Sequence, residues 1–247
     1  MYRFLIFLFA WLFQLSASAQ TIKQTLKISN DIELIRLSDN AYVHVSRCEI
    51  PPYGRVASNG LVYINHGKAF LFDTPVTNSQ TKDLVTYLQD SLHLKIVGFV
   101  PNHWHKDCMG GLSYLKKLGI ASYANRLTIN IAKSKGLPVP AKGFRHSLQL
   151  QLGDKKINCY YFGAAHTLDN IVVWIPSEKI LFGGCMVKEL ASKGLGNTKD
   201  ADLKAWPHTI DNVIVNFPDA RIVIPGHGQT GGLELLQHTK ELLDKSK

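Results

Sequence analysis

The sequence predicts a layered α/β domain with its helices outside two sheets. Three observations predict it. Strand patterns crowd the first third of the chain and helices alternate with strands afterwards, the order expected of stacked layers. Apolar residues make up 45% of the chain and charged residues 19%, so a sizeable core can form. No long linker, low-complexity tract or repeat divides the 247 residues.

Strand patterns open the chain at 32–37, 41–46, 61–65 and 68–73. Asn65-His66-Gly67 is a hairpin turn signal between the last two. Between the second and third strands, residues 49–55 hold Pro51, Pro52, Tyr53 and Gly54. They can form a plain connector or a mobile flap over a site, and the flap is the reading carried forward. A helix is predicted over 77–94, with Leu84, Leu88 and Leu92 at helical spacing and Asn78 or Ser79 as cap. A buried strand over 95–100, a helix over 110–118, a short strand near Tyr123 and a helix over 127–134 follow. Strands at 147–152 and 155–162 precede a hairpin of 171–176 with 179–182. A helix over 202–217 tolerates Pro207 only in its first turn. A last strand at 221–224 and a terminal helix over 233–245 complete the chain.

Residues 1–19 read as a secretory leader. Arg3 gives a positive start, Phe4 to Phe13 an apolar run, and Ala17-Ser18-Ala19 a small-x-small cleavage site. The run is too short to span a bilayer. No cysteine follows the cleavage site, so no lipid anchor is expected. The mature chain, residues 20–247, is therefore read as one exported domain, periplasmic in a host with an outer membrane. Its formal charge of +9 falls by one, to +8, when Arg3 leaves. The lysines are scattered, without a basic helix, which argues against nucleic-acid binding and for a solvated surface. Four cysteines, Cys48, Cys108, Cys159 and Cys185, would suit disulfides in an exported protein. Two bridges are not expected, because Cys185 has the context of a metal ligand and a chain of this length needs no staples.

The densest chemistry lies in Asn102-His103-Trp104-His105-Lys106-Asp107-Cys108. Three potential metal ligands, His103, His105 and Asp107, fall within five residues at the exit of a buried strand, where a rigid sheet can hold a loop site. Imidazoles and a carboxylate at this density suit a catalytic zinc. The bland reading, polar residues in a turn, is weakened by the rest of the chain. His166 follows a strand in Gly163-Ala164-Ala165-His166, Cys185 follows Gly183-Gly184, and His227 sits in Pro225-Gly226-His227-Gly228. Each is a strong ligand at a strand exit beside glycine, which lets the backbone turn sharply. The other histidines, His44, His66, His93, His146, His208 and His238, lack this context and are assigned to strand, turn or helix surfaces. Six ligands divide into two sets of three. Three histidines make a neutral site with an open position, and Asp, Cys and His a softer anionic one. Two zincs about 3.5–4 Å apart can share a hydroxide.

His103-x-His105-x-Asp107 with His166, Cys185 and His227 resembles the subclass B1 metallo-β-lactamases over essentially the whole mature chain. Asp73-Thr74-Pro75, Ser58-Asn59-Gly60-Leu61, Cys185-x-x-Lys188, Gly194-Leu195-Gly196-Asn197 and Leu203-Lys204-Ala205-Trp206-Pro207 add to the resemblance. It implies a four-layer αβ/βα sandwich with two Zn2+ at one edge, hydrolysing β-lactams, carbapenems among them, as a monomer that confers antibiotic resistance. It implies that the His103/His105/His166 zinc polarises the lactam carbonyl and the Asp107/Cys185/His227 zinc stabilises the departing nitrogen. Asp107 and Asn197 are then the catalytic candidates, Asn197 donating to the developing oxyanion, and Lys188 binds the substrate carboxylate with Asn197 beside it. Cys108 departs from the pattern, since many members carry Arg there, and a role behind the ligands is expected for it. Two rival readings remain. Thioester hydrolases, phosphodiesterases and nucleases of the superfamily usually carry His after the motif's Asp and an Asp in place of Cys185, and this chain has neither. A non-catalytic periplasmic zinc-binding protein would have little need of all six ligands and Lys188.

Overall fold

Residues 24–246 are described by a computed structural model. The leader reading of residues 1–19 lies outside them. The first sheet contains β1 (Thr25–Lys27), β2 (Ile32–Arg36), β3 (Ala41–Ile50), β4 (Gly54–Asn65), β5 (Lys68–Phe72) and β6 (Lys95–Val100), side by side in chain order. Only the β5/β6 pair in it is parallel. Helix α1 (Asn78–Thr86) forms the β5–β6 crossover and runs into a π-helical turn, Tyr87–Ser91. Two short helices, α2 (Lys106–Met109) and α3 (Leu112–Lys117), follow β6. A small parallel pair, β7 (Tyr123–Asn125) with β8 (Lys142–Phe144), brackets α4 (Arg126–Ser134). The second sheet has β9 (Ser147–Leu152), β10 (Lys155–Tyr160), β11 (Val172–Ile175), β12 (Ile180–Gly184) and β13 (Ile222–Pro225), with α5 (Trp206–Asn216) between the last two and α6 (Glu234–Lys245) at the end.

Four layers follow from how the strands bury both faces. In β4 and β5, Leu61, Tyr63, Phe70 and Phe72 point to the core between the sheets, where Leu150, Ile157, Val173 and Phe182 meet them. The intervening Val62, Ala69 and Leu71 point the other way, against Leu84, Leu88 and Leu112 of the first helical layer. In β11 and β12, Val173, Ile175 and Phe182 face the inter-sheet core, while Val172, Trp174 and Leu181 face Trp206, Ile210, Leu235 and Leu236 of α5 and α6. A strand covered on both faces reads as an unbroken apolar run, which is how these segments look in sequence.

Several expectations shift. β3 and β4 run longer than predicted and pair from Ala41↔Tyr63 to Ile50↔Gly54, so the flap segment becomes the tip of a long hairpin. The helix predicted over 77–94 stops at Thr86, and its cap is Thr77, whose hydroxyl accepts from Gln80 N at 3.2 Å. Asn78, a predicted cap, instead accepts from Tyr114 N at 3.0 Å and ties α1 to α3. The helix predicted over 110–118 is α3, shortened to Leu112–Lys117, and an unpredicted short helix, α2, precedes it from Lys106, so Asp107 and Cys108 ride on it. His44 was placed on a surface, yet it is 1% exposed inside β3. Its Nε2 donates to the carbonyl of Asp73 at 3.1 Å, a buried partner that strand alternation cannot reveal.

Candidate metal centre

Four strand ends deliver the site. His103 and His105 leave β6, His166 follows β10, Cys185 follows β12 and His227 follows β13. The open ends of both sheets therefore converge on one cleft of about 460 Å³. Of the six expected ligands, His105, Asp107, His166 and His227 line it, and His103 and Cys185 lie buried against them, so that the six form two groups.

In the first group, His103, His105 and His166 bring their ring nitrogens within 4.8 Å of one another. His105 Nδ1 and His166 Nε2 are 3.3 Å apart. In the second group, three atoms form a near-equilateral triangle. Cys185 Sγ lies 3.4 Å from Asp107 Oδ2 and 3.4 Å from His227 Nε2, and His227 Nε2 lies 3.4 Å from Asp107 Oδ2. Two ligands held tetrahedrally by zinc at 2.0–2.3 Å are about 3.3–3.8 Å apart. The triangle has the size that ion requires.

Partners behind the rings set their tautomers. His105 Nε2 faces Asp200 Oδ2 at 3.0 Å, which leaves Nδ1 toward His166. His103 Nδ1 lies 3.3 Å from Asn102 Oδ1 and leaves Nε2 for the site. His227 Nδ1 donates to the Ala57 carbonyl at 2.8 Å and leaves Nε2 for the site. Burial holds His103 down at about 3 and also lowers His166, so both rings are neutral lone-pair donors at pH 7. For Asp107, burial acts upward, but the His227 hydrogen bond and the nearby rings win and hold the carboxyl well below its usual range. For His227, burial acts downward, but Cys185 and Asp107 draw its pKa up.

The two buried cysteines are shifted in opposite directions. A hydrogen bond from Cys108 lowers the Cys185 thiol to about 6, against the opposing effects of burial and Asp107. Burial, together with its bond to Cys185, pushes Cys108 up. Cys185 is thus the more readily ionised of the two. Cys108 Sγ also lies 3.2 Å from His103 Nδ1 and forms a further metal-capable cluster with His103, Asp107 and Cys185.

The walls place the remaining candidates. Lys188 lines the cleft, with Nζ donating to the Cys185 carbonyl at 2.8 Å and lying 5.4 Å from the Trp206 ring centroid. Burial lowers its pKa, with Cys185 and Asp107 opposing. Asn197 stands on the exposed rim, its Oδ1 accepting from Lys199 N at 3.2 Å. Ile50, Tyr53 and Val56 of the β3–β4 hairpin form the apolar wall opposite, with Trp104 beside His105. Lys135 packs on Trp104, 4.3 Å from a ring centroid.

The expected motif Asp73-Thr74 braces the site from below. Asp73 accepts from Asn102 N, while Thr74 N and Oγ1 both donate to the Cys108 carbonyl at 3.0 and 3.2 Å. Gly184, at φ +59°, allows the Cys185 turn to press on Asn102, whose side chain a Cβ would meet at 2.3 Å. Sequence reasoning missed Asn102, Asp200 and the Ala57 carbonyl. Asp200 follows no strand and shares no glycine turn, and a backbone carbonyl carries no residue signature.

Similarity to known proteins agrees with this geometry. No protein-family model matches the chain. A metallo-β-lactamase type 2 of Bacteroides fragilis is 50% identical over 238 residues, 96% of this chain and 94% of that protein. The chain belongs to the metallo-β-lactamases. The type 2 enzyme of Pseudomonas aeruginosa is 36% identical, over 85% of this chain and 84% of its own. The solved metallo-β-lactamase of Pontibacter korlensis is 36% identical, with a TM-score of 0.83 over 86% of this chain and 99% of its own. The subclass B1 resemblance and the four-layer fold it implied both stand, and the family is one of enzymes. No helix among the described residues is long and apolar enough to cross a membrane.

Proposed function

We propose that this metallo-β-lactamase binds two zinc ions, one on His103, His105 and His166 and one on Asp107, Cys185 and His227, and hydrolyses the lactam amide of β-lactam antibiotics, carbapenems included. The observation that carries it is the pair of ligand triads at the floor of one cleft, the second with edges of 3.4 Å. When bound, zinc supplies a water whose pKa is lowered to about 7 and a Lewis acid for the lactam.

The chain's own residues do the rest. The neutral first triad would leave the charge of an ion held there undiminished, so it could polarise a carbonyl, and the Asp107 carboxylate and Cys185 thiolate would temper the charge of an ion held between them and His227, suiting it to an amide nitrogen. Lys188 takes the substrate carboxylate as a point charge. Asn197 has its carbonyl engaged by Lys199, so its amide NH2 can donate to the lactam oxygen, a contribution of about 3 kcal/mol at most. Ile50, Tyr53 and Val56 cover the apolar substituents and exclude water. The enzyme acts as an exported, periplasmic monomer and so confers resistance.

Hydrolysis of nitrocefin with and without a chelator tests the reading. Turnover that stops on zinc removal supports it. Zinc binding without turnover would favour a non-catalytic zinc protein.

A further inference from the structure

The loop that carries His227 is gripped from two sides by residues that touch no expected ligand side chain. Asn59, 3% exposed in β4, directs both of its side-chain amide hydrogens at that loop. Its Nδ2 donates to the Pro225 carbonyl at 2.9 Å and to the Gly228 carbonyl at 2.8 Å, and its backbone N–H donates to the Gly226 carbonyl at 2.8 Å. From the opposite side Glu189, four residues after Cys185, accepts from Gln229 N at 2.8 Å. Its carboxyl fills the space beside Gly228, where a Cβ would meet it at 1.9 Å and where φ is +78°. The imidazole between these grips is further held by the Ala57 carbonyl at 2.8 Å.

We propose that Asn59 and Glu189 are positioning residues for His227, and that together they set the affinity of the second metal site. The proposal rests on the reading that Asp107, Cys185 and His227 hold an ion. The chemistry explains the residue types. A primary amide supplies two donors to two carbonyls, which Asp cannot do and Ala would leave buried and unpaired. A carboxylate on the neighbouring ligand loop ties the Cys185 segment to the His227 segment, so the triangle closes as a unit. Outer groups of this kind typically change metal affinity by about 10–100-fold.

The test is titration of the metal-free protein with Zn2+ against a chromophoric chelator, and with Co2+ while following the thiolate-to-cobalt absorption that reports Cys185. Asn59→Ala and Glu189→Ala should each weaken the second ion about tenfold or more and shift the thiolate band. The first ion should stay within about threefold, since its ligands lie on other loops. Glu189→Gln, which retains a carbonyl acceptor for Gln229 N, should recover most of the loss. Glu189 is partly exposed, so Glu189→Ala decides the matter if Asn59→Ala does not fold, and its metal-free melting temperature should match the parent's. Second-ion affinity unchanged in Glu189→Ala, or both ions weakened equally, overturns the proposal. A parent protein with no thiolate–cobalt band overturns the metal-site reading itself, and the proposal falls with it.

Discussion

Cys185 differs in kind from the other five proposed ligands. It is the single soft donor among them, and it closes a triangle whose other corners are a carboxylate and an imidazole. Cys185→Ser replaces a thiolate by a neutral hydroxyl, a poor ligand for zinc. Native mass spectrometry should show bound zinc falling from about two toward one, with the three-histidine site spared. Two tightly held zincs would contradict the assignment and turn attention to Cys108. Lys188 is proposed to act on substrate instead of metal. Its ammonium contacts the Cys185 carbonyl and not the sulfur, so Lys188→Ala should leave zinc content unchanged. A charged hydrogen bond to a carboxylate contributes roughly 1.5–3 kcal/mol to ground and transition states alike, so KM should rise about ten- to a hundredfold with little change in kcat. Unchanged steady-state parameters on carboxylate-bearing substrates would remove Lys188 from the binding machinery. His166, Cys185 and His227 could be proposed because each stands at a strand exit near glycine, His103, His105 and Asp107 because of their density at one strand exit, and Lys188 only through the family resemblance. Their partners were not legible. Asp200 lies in a loop without strand context, Asn102 looks like an ordinary turn residue, and Asn59 acts on a segment 166 to 169 residues away.

The β3–β4 hairpin is the element that shapes the cleft's roof. Its strands stay paired to Ile50↔Gly54, and Tyr53 at the tip is 59% exposed while still lining the cleft. Replacing Ile50 and Tyr53 together by Ala removes apolar cover without opening the core. Losing about 1 kcal/mol of contact should raise KM for a bulky cephalosporin roughly fivefold or more, with melting temperature and zinc content unchanged. A drop in melting temperature would mark the tip as a structural part. The proline pair concealed how far the strands run, because prolines near a turn look like strand terminators. The first crossover helix was overextended for a different reason. Leucines at 84, 88 and 92 keep helical spacing through the turn at Tyr87–Ser91, but the backbone there widens to a π turn and Leu92 closes it. Spacing shows which face is apolar and says little about backbone hydrogen-bond pattern.

The whole molecule is held by three apolar layers, and its pH stability should report one polar intruder. Burial holds His44 down at about 4 against an ordinary 6.5, with the Asp73 carbonyl bond opposing. Between those values the unfolded chain takes up a proton that the folded protein refuses. Stability is therefore full above about pH 6.5 and is lost as pH falls toward 4, by on the order of 3 kcal/mol. Urea midpoints of metal-free protein at pH 7 and 4.5 should diverge less in His44→Gln than in the parent. Parallel profiles would show that His44 is not a source of the acid lability. The layered class was readable because strands crowd the first third of the chain and then alternate with helices, and strands such as β5 and β11, apolar on both faces, fit sheets covered on each side. Which sheet each strand joined was not readable, since pairing depends on contacts far apart in sequence. The proposed two-ion hydrolysis of a lactam depends on ligand residues, on the loops that carry them and on both sheets together. Its most direct test is stepwise return of Zn2+ to the metal-free enzyme while carbapenem hydrolysis is followed. Hydrolysis should be absent without zinc and rise to a plateau near two equivalents. Full hydrolysis in verified zinc-free protein, or none in protein holding two zincs, would contradict the account.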